Sequence, residues 1–263
     1  MATPTVVCLC ALNEERTIRA VLAEVASCPL VDLVGVVVNG STDQTAELAR
    51  SFLPPGSCRV VVLEMAERLG HDAGRAVAAQ WALTEGAEVL VFLDTDFVVK
   101  AADIAPFVEA ARRGVDVALN GLSAVLAGWP STGPVAAARI GLNAFLGRPD
   151  LGLDGLVAVP HALTRRAVET VAPGSLAVPP LAQALAIMAG LTVEVVHTVN
   201  TVMPNRPSGE RPRSRTAGEM SDLILGDHLE AISAILARRG VRGGFSDLGR
   251  KVGPHRPLAP RQD

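Results

Sequence analysis

Two aspartates, Asp94 and Asp96, follow a run of apolar residues that predicts a strand, Val89–Leu93. Because side chains alternate along a strand, both carboxylates point to the same side where the chain leaves the core. Ligands of open α/β sheets bind beyond the carboxyl ends of the strands. Two carboxylates there suit a hard divalent cation such as Mg²⁺, which keeps most of its positions for water and phosphate. Asp-x-Asp is also common in polar turns, and that alternative stays open at this point.

The strands and helices that must position these carboxylates alternate along most of the chain. Runs of apolar residues predict strands at Val6–Cys10, Val34–Val38, Arg59–Leu63, Val89–Leu93, Val115–Leu119, Gly155–Val159 and Thr192–Val199. Helical periodicity predicts helices at Glu14–Ala26, from Asp43 to Phe52, at Gly74–Glu85, at Ala102–Arg113, from Pro134 to about Gly147, at Pro180–Ala189 and at Glu219–Arg239. The alternation predicts an α/β fold with a doubly wound, mostly parallel sheet and right-handed crossovers.

We expect two parts in the chain. Residues 1–203 form one α/β domain, and residues 204–263 add a mobile loop, a C-terminal helix and a flexible tail. The loop carries four arginines, Arg206, Arg211, Arg213 and Arg215. The 263 residues are 49% hydrophobic, which is enough for a large core.

Composition argues against several classes of protein. The formal net charge is −3 and aromatic residues make up 3%, so neither a basic surface nor many stacking side chains are available for nucleic acid. The N-terminus lacks the basic start of a signal peptide. Leu176–Val193 imitates a membrane span, but Pro179 and Pro180 favour a buried helix. We therefore expect a soluble, cytoplasmic protein without a transmembrane segment, in which Cys8 and Cys10 are small buried hydrophobic residues.

Four motifs in order resemble the nucleotide-binding half of family 2 glycosyltransferases with the GT-A fold. They are Ala11-Leu12-Asn13-Glu14-Glu15, Val38-Asn39-Gly40-Ser41-Thr42-Asp43, Gly70-His71-Asp72-Ala73-Gly74-Arg75 and Asp94-Thr95-Asp96. The later layout, including Asn205-Arg206-Pro207, is similar to glucosyl-3-phosphoglycerate synthases and their soluble relatives. The resemblance implies a nucleotide-diphosphate sugar donor, UDP- or GDP-linked, a small-molecule acceptor and a Mg²⁺ or Mn²⁺ cofactor.

The resemblance also implies roles for individual residues. Leu12 and Glu14 would contact base and ribose, Asn39 the base, His71 the nucleotide as its basic neighbour, Asp94 the ribose, and Asp96 the metal ion. A divalent ion would neutralise charge on the departing diphosphate, and the loop arginines could add contacts to it. A third metal ligand could come from His228 or His197. Either histidine could equally be structural.

The chain departs from its relatives at three places. Asn39 replaces a common aspartate, which leaves the base open between uridine and guanosine, and His71 replaces a more basic residue. Inverting relatives carry an acidic base where this chain has Val178-Pro179-Pro180-Leu181. We therefore favour retention of the anomeric configuration, with a thiol or thione acceptor as the alternative.

Other residues in the second half allow a functional and a structural interpretation. His161 could reach the acceptor or simply end a strand. Arg139 and Asn143 share a helical face, where Arg139 could bind an anionic acceptor or face solvent. Asp154 is expected to cap a helix or form a turn. The oligomeric state stays open, a homodimer included.

Two other functions compete with the transferase. A sugar-1-phosphate nucleotidyltransferase shares this kind of sheet, but it would begin with a Gly-rich basic loop, which Ala11–Arg16 is not. A non-catalytic nucleotide-sugar-binding scaffold would explain the missing base, although Asp94 and Asp96 count against it.

Overall fold

The centre of the molecule is a seven-stranded sheet. The computed structural model describes residues 4–126, 133–201 and 217–250. Within them the strands are β1 (Thr5–Ala11), β2 (Leu33–Asn39), β3 (Arg59–Met65), β4 (Val89–Asp94), β5 (Val117–Asn120), β6 (His161–Thr164) and β7 (Val193–His197). Their spatial order is β3-β2-β1-β4-β6-β5-β7.

All but one of these strands run in the same direction. β1 pairs in parallel with β2 and β4, β2 with β3, and β5 with β7. β6 runs antiparallel to its neighbours β4 and β5. The carboxyl ends of β1, β2 and β4 therefore meet at one edge of the sheet, and the first residue of β6, His161, pairs with Phe92 near that edge.

Helices cover both faces of the sheet. They are α1 (Ile18–Ser27), α2 (Thr45–Arg50), α3 (Ala73–Thr84), α4 (Ala101–Arg112), α5 (Leu122–Val125), α6 (Pro134–Phe145), α7 (Arg165–Val171), α8 (Pro179–Met188) and α9 (Ala217–Arg239). Val91 and Leu93 of β4 face the core under α1 and α4, whereas Leu90 and Phe92 face the core under α3 and α7. This alternation explains why the strand reads as continuously apolar: both of its faces are buried.

The predicted strand at Gly155–Val159 is wrong. These residues form turns, and the strand begins only at His161. Pro160 has no N–H to donate to a ladder, so the strand starts after it. The apolar pattern that misled the prediction has another cause, since Leu156 is buried in the core without belonging to a strand.

The segment that imitates a membrane span is a buried helix, as predicted. α8 covers Pro179–Met188 and buries Ala182, Gln183 and Ala186 among other side chains. No helix in the described ranges is long and apolar enough to cross a membrane.

α9 packs on the main unit. Ala231 and Ile235 pack with Leu142 of α6, with Leu146 directly after α6 and with Ala184 of α8 in a small apolar cluster. The helix runs without a break through Gly226, Asp227 and His228, in agreement with the predicted helix Glu219–Arg239. The predicted mobile loop lies almost entirely within 202–216, outside the described residues, and the end of the predicted tail lies beyond 250.

Candidate functional site

Polar side chains tie together the loops that follow β1 and β2. Asn13, in the left-handed region with φ 57°, accepts a hydrogen bond from the Thr42 backbone at 2.8 Å through Oδ1. Its own N–H donates to Ser41 Oγ at 3.0 Å. The Glu14 N–H donates to the buried Thr45 Oγ1 at 2.7 Å. These hydrogen bonds hold the loop that contains Leu12 and Glu14 at the carboxyl edge of the sheet, and their predicted contacts with base and ribose stay a prediction.

Asp43 anchors the start of α2 from outside the helix. Its Oδ1 accepts from the Thr45 N–H at 3.0 Å, and its Oδ2 accepts from the Glu15 N–H at 3.2 Å. Burial alone would raise the pKa of Asp43, but these hydrogen bonds lower it below its ordinary value. Asp43 is therefore a charged link between the two loops as well as the helix-start signal that the sequence suggested.

Asn39 fixes the loop before α3. Its Oδ1 accepts from the Leu69 N–H at 2.7 Å and its Nδ2 donates to the Gly70 carbonyl at 2.9 Å. Gly40 follows with φ 70°, and a Cβ there would lie 2.7 Å from the Arg68 backbone nitrogen, so only glycine allows this approach. The side chain predicted to bind the base thus lies at the predicted edge and also holds the loop that presents His71.

A buried arginine joins this loop to the carboxylates. Arg75 of α3 is 5% exposed and contacts Asp72 Oδ1 at 3.2 Å and Asp94 Oδ1 at 3.3 Å. Its Nη1 also donates to the Leu156 carbonyl at 3.3 Å. Burial alone would lower the pKa of Arg75, but the Asp72 and Asp94 carboxylates raise it, so the guanidinium stays charged. Arg75 belongs to the third sequence motif, but the sequence predicted no role for it.

Two carboxylates that could act as metal ligands, Asp94 and Asp96, flank the turn after β4. Thr95 is buried and donates from Oγ1 to the Cys10 carbonyl at 2.8 Å, while Asp94 and Asp96 on either side are partly exposed. Carboxylate oxygens are the donors that Mg²⁺ and Mn²⁺ prefer. Within the described residues no group of three or more His, Cys, Asp or Glu side chains is arranged to hold a metal ion. Asp94 and Asp96 are therefore the two carboxylates of this turn that could hold such an ion.

His197 and His228 do not join these carboxylates in a three-ligand set. His197 Nε2 lies 3.0 Å from Asp103 Oδ1, and its ring meets Phe107 edge-on at 6.0 Å. His228 is buried on α9 with Nδ1 2.6 Å from the Ile224 carbonyl. Burial, together with the charge of Arg139, lowers the pKa of His228. The interpretation of His228 as a metal ligand stays a prediction.

His161 lies in the core close to Arg75. Its ring stacks on Phe92 with centroids 5.2 Å apart, and its Nδ1 lies 2.9 Å from the Ala158 carbonyl. Burial and the charge of Arg75 lower the pKa of His161 to about 3, so the ring is neutral at physiological pH. At 1% exposure it is a packed residue beneath the site.

Three other residues singled out in the sequence, His71, Asp154 and Asn143, lie in different local environments. The side chain of His71 is 44% exposed, with Nε2 3.6 Å from Asp72 Oδ2. Asp154 is buried, and its Oδ1 accepts from the Ser123 N–H at 2.6 Å, which matches the expected turn or cap role. Asn143 is buried too, although a solvated face was one interpretation of its helix.

Asp227 of α9 lies near the loop that carries His71 and Asp72. Burial and the charges of Asp72 and Glu230 raise the pKa of Asp227 to about 6, with His71 opposing. Asp227 therefore lies within electrostatic range of the loop that carries His71 and Asp72.

Comparisons with known proteins agree with this architecture. Residues 6–162 match the family model described as Glycosyl transferase family 2. A polyprenol monophosphomannose synthase of Mycolicibacterium smegmatis is 28% identical over 117 residues, which are 44% of this chain and 44% of that protein. The chain thus aligns with less than half the length of that curated relative.

Two solved structures of glucosyl-3-phosphoglycerate synthase from Mycobacterium tuberculosis have the same fold. The complex with Mn²⁺, UDP-glucose and phosphoglyceric acid is 22% identical, with a TM-score of 0.56, and the match covers 94% of this chain and 82% of that one. The complex with Mg²⁺ and UDP is 18% identical, with a TM-score of 0.54, and covers 94% and 81%. The sheet with its C-terminal helix is therefore a GT-A fold, as the sequence predicted.

Proposed function

The chain belongs to glycosyl transferase family 2, and from this membership we propose that it transfers a sugar from a nucleotide-diphosphate sugar to a small acceptor. The observation that carries the proposal is the turn Asp94-Thr95-Asp96. This turn lies at the edge of the sheet where the loops after β1 and β2 begin, and Arg75 contacts Asp94. Edges of this kind bind ligands in open α/β sheets.

Each residue at the edge has a proposed task. Asp96, together with Asp94, would hold a Mg²⁺ or Mn²⁺ ion, and that ion would supply Lewis-acid neutralisation of charge on the departing diphosphate. Leu12, Glu14 and Asn39 surround the base and ribose, and Asp94 accepts from the ribose. His71, exposed beside the same loop, contacts the nucleotide.

A UDP-linked donor is the first to test, because the M. tuberculosis enzyme binds UDP-glucose on the same fold. The Asn39 amide is already bonded to the Leu69 and Gly70 backbone, and its remaining acceptor capacity can meet an imide N–H. GDP is the comparison that distinguishes uridine from guanosine.

We propose retention of the anomeric configuration. α8 begins at Pro179, directly after Val178, and this segment supplies no carboxylate that could deprotonate an acceptor. Transfer to the face from which the diphosphate leaves does not need such a base. Anomeric NMR of the product distinguishes retention from inversion.

Thermal unfolding with nucleotides tests the donor site. UDP and GDP are titrated with and without Mn²⁺ against the unchanged protein, Asp96→Ala and the control Glu109→Ala, an exposed carboxylate on α4. A ligand at 100 times its Kd stabilises the fold by about 2.7 kcal/mol. We expect a Mn²⁺-dependent shift with one nucleotide that Asp96→Ala loses and Glu109→Ala keeps. Absence of a shift with every nucleotide would contradict the transferase and favour a scaffold.

A further inference from the structure

The glycine-rich segment 240–250, which follows α9, leaves large apolar side chains in water. Val241 is 91% exposed and Leu248 is 93% exposed. Phe245 between them is 53% exposed. A single exposed apolar side chain is ordinary, but several close together in one short segment mark a surface that binds another molecule.

Hydrogen bonds and an aromatic contact fold this segment against the ends of two helices. Arg242 donates from Nε to the Phe245 carbonyl at 3.1 Å and from Nη2 to the Ser246 carbonyl at 2.6 Å. The Phe245 ring meets Phe145, the last residue of α6, edge-on with ring centroids 6.4 Å apart. Arg239 of α9 donates from Nη1 to the Phe145 carbonyl at 3.2 Å. The exposed side chains therefore belong to a segment with its own internal bonds and packing contacts.

A groove of about 290 Å³ opens between this segment and the end of α6. Its lining comes from Phe145, Gly147, Arg239, Gly243, Gly244 and Phe245. Gly243 and Gly244 have φ 62° and 87°, so bare backbone forms part of the wall. Leu236 of α9 lies beside Gly243 and is itself exposed, as is Phe145. The groove therefore extends the apolar surface of the segment onto both helices.

Four arginines lie among these apolar side chains, and all four are exposed: Arg238, Arg239, Arg242 and Arg250. None of them forms an ion pair within the described ranges. Asp247 is the one carboxylate in 238–250, and its Oδ1 accepts from the Gly249 N–H at 2.9 Å. The formal net charge of the whole chain is −3, so this positive charge is a local feature. We call the surface formed by the following residues the C-terminal patch: Phe145, Leu236, Val241, Phe245, Leu248 and the four arginines.

The combination of positive charge and exposed apolar side chains selects the kind of partner. The arginine guanidinium matches the geometry of phosphate oxygens. A soluble polyanion would use the arginines but would leave Val241 and Leu248 in water, and neither side chain can stack on a base. The boundary between headgroups and acyl chains of a bilayer meets both needs, because it presents phosphate next to hydrocarbon.

We propose that the C-terminal patch docks the protein on membrane surfaces that contain anionic phospholipids. The arginines bind headgroup phosphates, and Val241, Phe245 and Leu248 enter the boundary with the acyl chains. Asp227, near the loop of His71, is separated from the end of α9 by about 18 Å at the ordinary rise of a helix. The inference therefore does not depend on the proposed nucleotide site.

Co-sedimentation with vesicles tests the contribution of charge. Vesicles of phosphatidylcholine alone are compared with vesicles that contain about one third phosphatidylglycerol, in dilute buffer and at about 0.15 M salt. The variant Arg238→Gln with Arg250→Gln is used because neither side chain makes a hydrogen bond within the described ranges. Arg113→Gln, at an exposed arginine after α4, is the control.

We expect binding to the anionic vesicles alone, and weaker binding at the higher salt concentration. The double variant should bind about 25-fold more weakly, about fivefold for each arginine removed, whereas Arg113→Gln should bind like the unchanged protein.

Leu248→Asn tests the apolar contribution. Leu248 has φ 56°, a left-handed conformation that asparagine adopts more readily than leucine, so the segment keeps its fold. The control is Leu53→Asn, since Leu53 is 89% exposed and lies outside the patch. We expect Leu248→Asn to weaken vesicle binding about tenfold and Leu53→Asn to leave it unchanged.

Other outcomes overturn the inference. They are no vesicle binding, equal binding to both lipid compositions, or binding that survives the arginine substitutions. If Leu248→Asn has no effect and heparin displaces the vesicles, the patch is a general polyanion site. A dimer without lipid that the same variants dissociate assigns the patch to a second copy of the chain. Loss of the UDP–Mn²⁺ shift in the unchanged protein would count against the transferase and not against the patch.

Discussion

At the scale of single residues, the two contacts of the Asn39 side chain require one hydrogen-bond acceptor and one donor. We expect Asn39→Asp to lower the free energy of unfolding by about 1–3 kcal/mol. The carboxylate keeps the bond from the Leu69 N–H but faces the Gly70 carbonyl with an acceptor in place of a donor. Urea unfolding at pH 7 measures the change.

Asn13→Asp is the matched control for this substitution. Asn13 Oδ1 accepts hydrogen bonds from Thr42, and a carboxylate oxygen can accept them equally well. Aspartate also tolerates the left-handed backbone at this position. Equal losses in the two variants would mean that the donated bond to Gly70 contributes nothing.

The sequence predicted the residues whose role is visible in local spacing. Asp94 and Asp96 stand two apart at the end of one apolar strand and Asn39 ends another, so their common edge follows from the geometry of parallel strands. The roles of Arg75 and Arg139 could not be predicted in this way. Their roles depend on partners far along the chain, such as Leu156 for Arg75, and no local pattern records which distant group a long side chain will meet.

At the scale of elements, the packing of α3 on β2 depends on one glycine. A Cβ on Gly35 would collide with the ring of Trp81. We expect Gly35→Ala to destabilise the protein by about 1–3 kcal/mol through overpacking. Adding Trp81→Leu should recover part of this loss, because it vacates the space, and a double-mutant cycle by urea unfolding measures the coupling.

Gly226→Ala provides the contrast for this prediction. Gly226 lies in α9 with open space where a Cβ would be, so alanine should stabilise the helix by up to about 1 kcal/mol. Additive effects of Gly35→Ala and Trp81→Leu would show that the two residues do not restrict each other.

Element types were predictable where periodicity and length agreed, as in α3, α4 and β4. β6 was not, because it has four residues and follows Pro160, while the apolar residues before it are buried in turns. The sequence pattern also could not predict that β6 runs antiparallel, because the direction of a strand depends on which distant strands it pairs with. Local hydrophobicity reports burial, and burial alone does not define a strand.

At the scale of the whole molecule, His161 makes stability depend on pH. Its folded pKa of about 3 lies below the ordinary value near 6.5, so the unfolded chain takes up a proton first as the pH falls. The contribution of His161 to the free energy of unfolding is fully present above pH 6.5 and is lost as the pH falls toward 3. The loss between pH 7 and pH 5 is about 2 kcal/mol from this residue.

His161→Phe tests this dependence. Phenylalanine keeps the stack on Phe92 but cannot titrate. Between pH 7 and pH 5, we expect the free energy of unfolding to fall by about 2 kcal/mol less in the variant than in the unchanged protein. Urea unfolding at both pH values measures the difference. The same acid loss in both proteins would assign the effect to other groups.

The position of α9 has a consequence for binding at the proposed nucleotide site. Asp227 lies within electrostatic range of the loop that carries His71 and Asp72, and the next residue, His228, lines a small polar cavity together with Arg139. A ligand that shifts α9 therefore changes the surroundings of both residues. By thermodynamic reciprocity, if a nucleotide at the loop changes the affinity for a second ligand that contacts α9, that ligand changes the affinity for the nucleotide by the same factor.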